Sequence, residues 1–144
     1  MNPIVRNVLA VVFGIISGSV ANMSLVNLGH YILPIEGLDP SDMEAMVEIM
    51  PTLSYEYFVF PFLAHAVGTF VGGFLAYTIA VTKRMIFAFS IGFFFLLGGI
   101  TVNLMIPGPI WFALLDIVVA YIPMAWLAGI LAKNLIKKEG EIYV

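Results

Sequence analysis

Four stretches of this chain run for about 20 residues or more with almost no charge, each long enough to cross about 30 Å of hydrocarbon as a helix. They cover residues 5–33, 57–82, 85–106 and 110–132. None alternates apolar and polar residues with a period of two, which excludes a membrane barrel. The pattern predicts an all-α, membrane-spanning four-helix bundle. Charged residues make up 10% of the chain, against roughly 25% in soluble domains. The apolar blocks therefore read as lipid-facing spans rather than the core of a soluble protein. Residues 1–144 read as a single transmembrane domain.

The connections are short and charged unevenly. Lys83-Arg84 turns the chain between spans two and three. Pro107-Gly108-Pro109 turns it between spans three and four, because neither residue type continues a helix cheaply. Short connections make these helices antiparallel neighbours. The basic residues are Arg6, Lys83, Arg84, Lys133, Lys137 and Lys138, all on one side of that arrangement. Residues 34–56, between spans one and two, carry Glu36, Asp39, Asp42, Glu44, Glu48 and Glu56 and no Lys or Arg. The positive-inside rule then places 34–56 outside as an acidic extracytoplasmic loop, with both termini and a tail of 133–144 in the cytoplasm. Tyr55, Tyr57, Phe58 and Trp111 fall at the outer interface, where aromatic rings gather. Arg6 followed by an apolar run and Ser19-Val20-Ala21 resembles a signal peptide. The apolar block continues to Leu33, which favours a retained span.

Within the acidic loop, residues 37–53 predict a short amphipathic helix. Asp39 is the expected N-cap, with Pro40 at the first helical position and Pro51 as the stop. Met43, Met46, Val47 and Met50 make an apolar stripe at helical spacing. Such a helix lies on the membrane, or acts as a lid over an outward-facing cavity or as a Met-rich docking face.

Lipid tails are as apolar as leucine, so small residues that permit close approach mark helix contacts inside a membrane. Gly14 and Gly18 lie four apart in span one, Gly68 and Gly72 in span two, and Gly99 shares a face with Asn103 in span three. Each span carries one strongly polar side chain on its small-residue face: Asn22, His65, Asn103 and Asp116. At about 1.5 Å per residue, all four fall in the outer half or at the centre of the bilayer. Glu36, Glu56 and His30 stand above them as the expected pocket mouth. Two readings follow. Either the four residues clamp the helices by hydrogen bonds, or they line an outward-facing polar pocket for a small ligand, ion or proton. Pro61 and Pro123 are expected to kink spans two and four.

Other chemistries find little support. The chain has no cysteine, so disulfides, thiolate metal sites and thiol redox chemistry are excluded. His65 and Asp116 could form an acid–base pair, but no nucleophile motif accompanies them, and no catalytic residue is assigned. His30 and His65 lack metal-ligand spacing, so no metal and no cofactor is expected. No basic patch suits nucleic acid. The expected partner is the lipid bilayer, with a homodimer or a larger membrane complex as further options.

The stretches NPIVRNVLAVV, FPFLAHAVGT, FFFLLGGI and DIVVAYIPMAWLAG resemble a family of small bacterial four-helix membrane proteins of unknown function. The resemblance implies the bacterial cytoplasmic (inner) membrane and supplies no activity. The expectation is a structural or accessory four-span bundle. The alternative is a binder or transporter built on His65 and Asp116.

Overall fold

The structure is a computed structural model describing residues 2–39 and 41–142, with side chains as far as Lys137. Helix α1 runs Pro3–Ile32, α2 Met43–Ile49, α3 Val59–Ile79, α4 Arg84–Met105, α5 Ile110–Val119 and α6 Ile122–Ile142. Two 3₁₀ turns, Met50–Thr52 and Tyr55–Phe58, link α2 to α3. No strand occurs among the described residues.

Four segments are long and apolar enough to cross a membrane: Pro3–Ile32, Tyr55–Ile79, Arg84–Met105 and Ile110–Lys137. The chain is thus a multi-pass helical membrane protein of the all-α class. The second span stops at Ile79 rather than at residue 82, because residues 80–83 are needed for the turn into α4. The segment expected as a tail instead continues α6 as far as Ile142. Residues 143 and 144 lie outside the described residues.

Helix α3 is the hub, packed against α1, α4 and α6. Its glycines explain why α1 can approach. A Cβ at Gly72 would stand 2.5 Å from the carbonyl oxygen of Gly14, and one at Gly18 2.7 Å from that of Gly68. The four glycines thus pair antiparallel, Gly14 with Gly72 and Gly18 with Gly68, backbone against backbone. Close approach lets many atoms touch, and this dispersion gain is what associates helices where lipid offers no hydrophobic drive.

At the basic end α1 ties down the α3–α4 turn. Arg6 Nε donates to the Ile79 carbonyl at 2.8 Å, a cation on the negative end of α3. Asn7 accepts from the Val81 N–H at 3.0 Å and donates to Thr82 Oγ1 at 2.6 Å. That grip holds Lys83 in the left-handed region, at φ 42°, where a non-glycine residue costs about 1–3 kcal/mol.

Small residues also carry α3 and α4 against α6. Ala66, Ala120 and Tyr121 form one buried cluster, flanked by Phe62, Phe95, Leu96 and Met124. Tyr77, Ala88 and Ala132 form a second toward the basic end.

The two prolines behave differently. Pro123 is the second residue of α6, just after a turn at Ala120 and Tyr121. It has no N–H to offer the Val119 carbonyl, so the expected kink is a full break that divides span four into α5 and α6. Pro61, by contrast, is the third residue of α3. In a first turn its missing N–H has no intrahelical acceptor to satisfy, so no interior kink arises there.

The loop helix exists but starts later than expected. Asp42, not Asp39, caps α2, accepting from the N–H groups of Glu44 and Ala45, each at 3.1 Å. Asp39 accepts instead from the backbone N–H of Ser41 at 2.9 Å and from its hydroxyl at 2.7 Å. These bonds, the backbone one first, hold the Asp39 carboxyl below the usual carboxylate range. Pro40 lies outside the described residues.

Candidate functional site

Two of the four polar residues expected to converge do so, and a third partner joins them. His65 sits on α3 one turn before Thr69, on the side of the hub that faces the bundle interior. Asp116 comes from the last turns of α5, and Tyr121 from the break that follows. His65 Nδ1 lies 2.9 Å from each oxygen of the Asp116 carboxylate. The Tyr121 hydroxyl donates to Asp116 Oδ2 at 2.7 Å and lies 3.0 Å from His65 Nδ1. The Asp116 side chain is 0% exposed and that of His65 is 17% exposed.

The network assigns the tautomer. An ionised carboxylate only accepts, and the one Tyr121 proton is directed at Asp116. Nδ1 therefore faces three oxygen atoms and must carry the proton. That leaves Nε2 as the other edge of the ring, with no hydrogen-bond partner among the described residues. The arrangement does two things chemically. It fixes the imidazole in one tautomer and orientation, as a carboxylate does for a general base. It also satisfies both carboxylate oxygens in a place where an unpaired charge is expensive.

The break in span four makes this possible. In a continuous helix, residues 116 and 121 would be five apart and rotated well away from each other. The turn at Ala120 and Tyr121 brings the phenol back over Asp116. Gly99 on α4 supplies the room, because a Cβ there would fall on the Tyr121 hydroxyl. Gly99 was expected to pack helix against helix; its role is a notch for one side chain.

Asn103 and Asn22 stand apart from the triad. Asn103 Nδ2 donates to the Gly99 carbonyl of its own helix at 3.0 Å. The Cβ of Asn22 packs on Gly68, and its amide makes no hydrogen bond among the described residues. Both were expected in the cluster, and the structure places neither there. Short polar side chains in helices often bond the preceding turn instead. Ser17, Thr78 and Ser90 do the same, bonding Phe13, Leu75 and Ile86 carbonyls. Thr69 is the exception, a fully buried hydroxyl with no partner among the described residues.

A cavity at the acidic end is apolar and lies apart from the triad. At the acidic end a cavity of 70 Å³ lies between α1, α3 and the loop, lined by residues that include Val26, His30, Met46, Met50 and Phe60. Met46 and Met50, both on the apolar stripe of the loop, line its wall. A second space of 220 Å³ shares His30, Ile35 and Met46 with it. Neither His65 nor Asp116 lines these spaces. Of the expected mouth residues only His30 borders them; Glu36 is exposed, Glu56 is half-buried, and neither lines either space.

Among the described residues no group of three His, Cys, Asp or Glu side chains converges as a metal site would require. Tyr121 does not share the small-residue face that groups Asp116 with Ala113, Ala120 and Pro123, so helical spacing does not place it in the site. Its signal was present: a tyrosine two residues before a mid-span proline, near an intramembrane aspartate.

Fold and site together define a multi-pass helical membrane protein with an internal His–Asp–Tyr triad. No protein-family model, no curated protein and no solved structure matches the chain.

Proposed function

We propose that this protein is a structural or accessory four-span component of the bacterial cytoplasmic membrane, in which the triad clamps α3 to the broken fourth span. One observation carries the reading. Asp116 is fully buried and both of its oxygens are engaged by His65 and Tyr121, so the charge is spent on partners inside the chain. The concentration of basic residues at one end supports cytoplasmic termini, with the acidic loop outside. The broad apolar surface of α1 and α4 fits lipid, or a second membrane subunit.

A second reading rests on the one loose end of the triad. His65 keeps Nε2 unbonded and is 17% exposed, so a small ligand, ion or proton could be received there. Unfolding of the His65→Ala and Asp116→Asn variants separates the two readings. A clamp predicts losses of about 3 kcal/mol for His65→Ala, which strands a buried carboxylate, and about 1 kcal/mol for Asp116→Asn. Unchanged stability in both variants would reject the clamp in favour of the binding site.

A further inference from the structure

Helix α5 differs from every other membrane element in how it is held. It is ten residues long and bounded by a helix stop on each side. Residues 107–109, Pro-Gly-Pro, precede it without helical structure, and the turn at Ala120 and Tyr121 follows it. Neither stop passes a continuous hydrogen-bond ladder to the neighbouring helix, so bending there breaks few backbone bonds, and what resists it is side-chain packing around Ala120 and Tyr121. Only Phe112 and Asp116 on α5 are buried, and they lie four residues apart on one face. Phe112 rests on Phe58, with ring centroids 4.8 Å apart. Asp116 is held by His65 and Tyr121. Ala113 and Ile117 are half-buried, and Ile110, Leu114 and Val118 are all more than half exposed.

We propose that α5 is a hinged half-helix, and that the His65–Asp116–Tyr121 triad is the latch that holds it shut against α3. The inference rests on the clamp reading and adds motion to it. The aromatic contact at Phe112 acts as the pivot near the Pro-Gly-Pro stop, and the polar contact at Asp116 acts near the opposite end, beside the two-residue turn into α6. Releasing the latch swings the end of α5 that bears Asp116 away from His65. That movement opens the buried side of the imidazole, which Asp116 and Tyr121 otherwise cover. Breaking the three polar contacts inside lipid is unfavourable, so the shut state is the ground state.

Distances between nitroxide labels in lipid nanodiscs test this, and the absence of native cysteine makes site-specific labelling clean. One pair, Leu114→Cys with Leu127→Cys, reports α5 against α6. A control pair, Val12→Cys with Leu97→Cys, reports α1 against α4. All four positions are exposed toward lipid. With the triad intact both pairs should give one narrow distance. In Asp116→Ala the α5 pair should gain a second population at least several-fold above its starting level, while the control pair stays narrow. Tyr121→Phe, which leaves the His65 contact in place, should give an intermediate gain. If the α5 pair stays narrow in Asp116→Ala, packing alone holds the helix and the hinge is refuted. If both pairs broaden together, the triad holds the whole bundle and the hinge is equally refuted. Stability that drops in Asp116→Ala while the α5 distance stays fixed would sink the hinge and keep the clamp.

Discussion

Replacing Gly72 by alanine should pry α1 off the hub helix. The added Cβ would stand 2.5 Å from the Gly14 carbonyl oxygen and 2.9 Å from Ile91, where ordinary contact begins at 3.4 Å. The obstacle at Gly14 is backbone, so no side chain can rotate out of the way. The helices must part by most of an ångström, which forfeits a quarter to a half of the dispersion energy of each contact along the crossing. Overpacking of this kind costs about 1–3 kcal/mol, and α1 has little besides this crossing and the Arg6 and Asn7 bonds to hold it. Gly98→Ala is the matched control, because a Cβ there meets nothing within 4 Å. It should be neutral, or stabilising by up to about 1 kcal/mol through helix propensity. Unfolding in mixed micelles, followed by Trp111 and Trp126 fluorescence, measures both variants. The double variant Gly14→Ala/Gly72→Ala adds a sharper test. Once the first methyl has separated the helices, the second meets less, so its cost should fall short of the sum. Equal stability of Gly72→Ala and Gly98→Ala would refute the crossing as described.

Two further outcomes follow from the structure. Gly99→Ala should displace the Tyr121 hydroxyl and cost about 1–3 kcal/mol; the same change in a Tyr121→Phe background should cost much less, since the atom in conflict is gone, and equal costs in both backgrounds would contradict the notch. Asn7→Ala should remove about 1 kcal/mol by leaving the Val81 N–H without its side-chain acceptor; combining it with Lys83→Gly, which relieves the left-handed φ, should recover part of the loss, and no recovery in the unfolding midpoint would count against a turn held in strain by α1.

The membrane architecture was legible in the sequence because each span is a long apolar block and each connection has its own breaker. The glycine pairs were legible for a related reason: spacing of four puts them on one helix face, and lipid leaves little else to bring helices together. His65 and Asp116 were identifiable as partners because ionisable groups in a bilayer seek each other. What stayed hidden depends on contacts between helices. Asn103 has the composition of a triad member but turns back to its own Gly99 carbonyl, and only the local side-chain geometry decides that. Tyr121 entered the site through the break at Pro123, whose consequence for side-chain direction cannot be read from helical spacing. The cap of α2 moved from Asp39 to Asp42 because both acids precede plausible first turns, and Ser41 draws Asp39 away. The apolar character of the cavity at the acidic end comes from residues of α1, α3 and the loop, whose convergence spacing within one helix does not show.

The central claim is that His65 and Asp116 act on each other across the bundle. The double-mutant cycle of His65→Ala, Asp116→Asn and their combination, read by unfolding in bilayer-like micelles, measures that interaction directly. The clamp predicts a coupling of about 2 kcal/mol, above the average of about 0.6 kcal/mol for hydrogen bonds between membrane helices. Costs that add to within about 0.5 kcal/mol would contradict it.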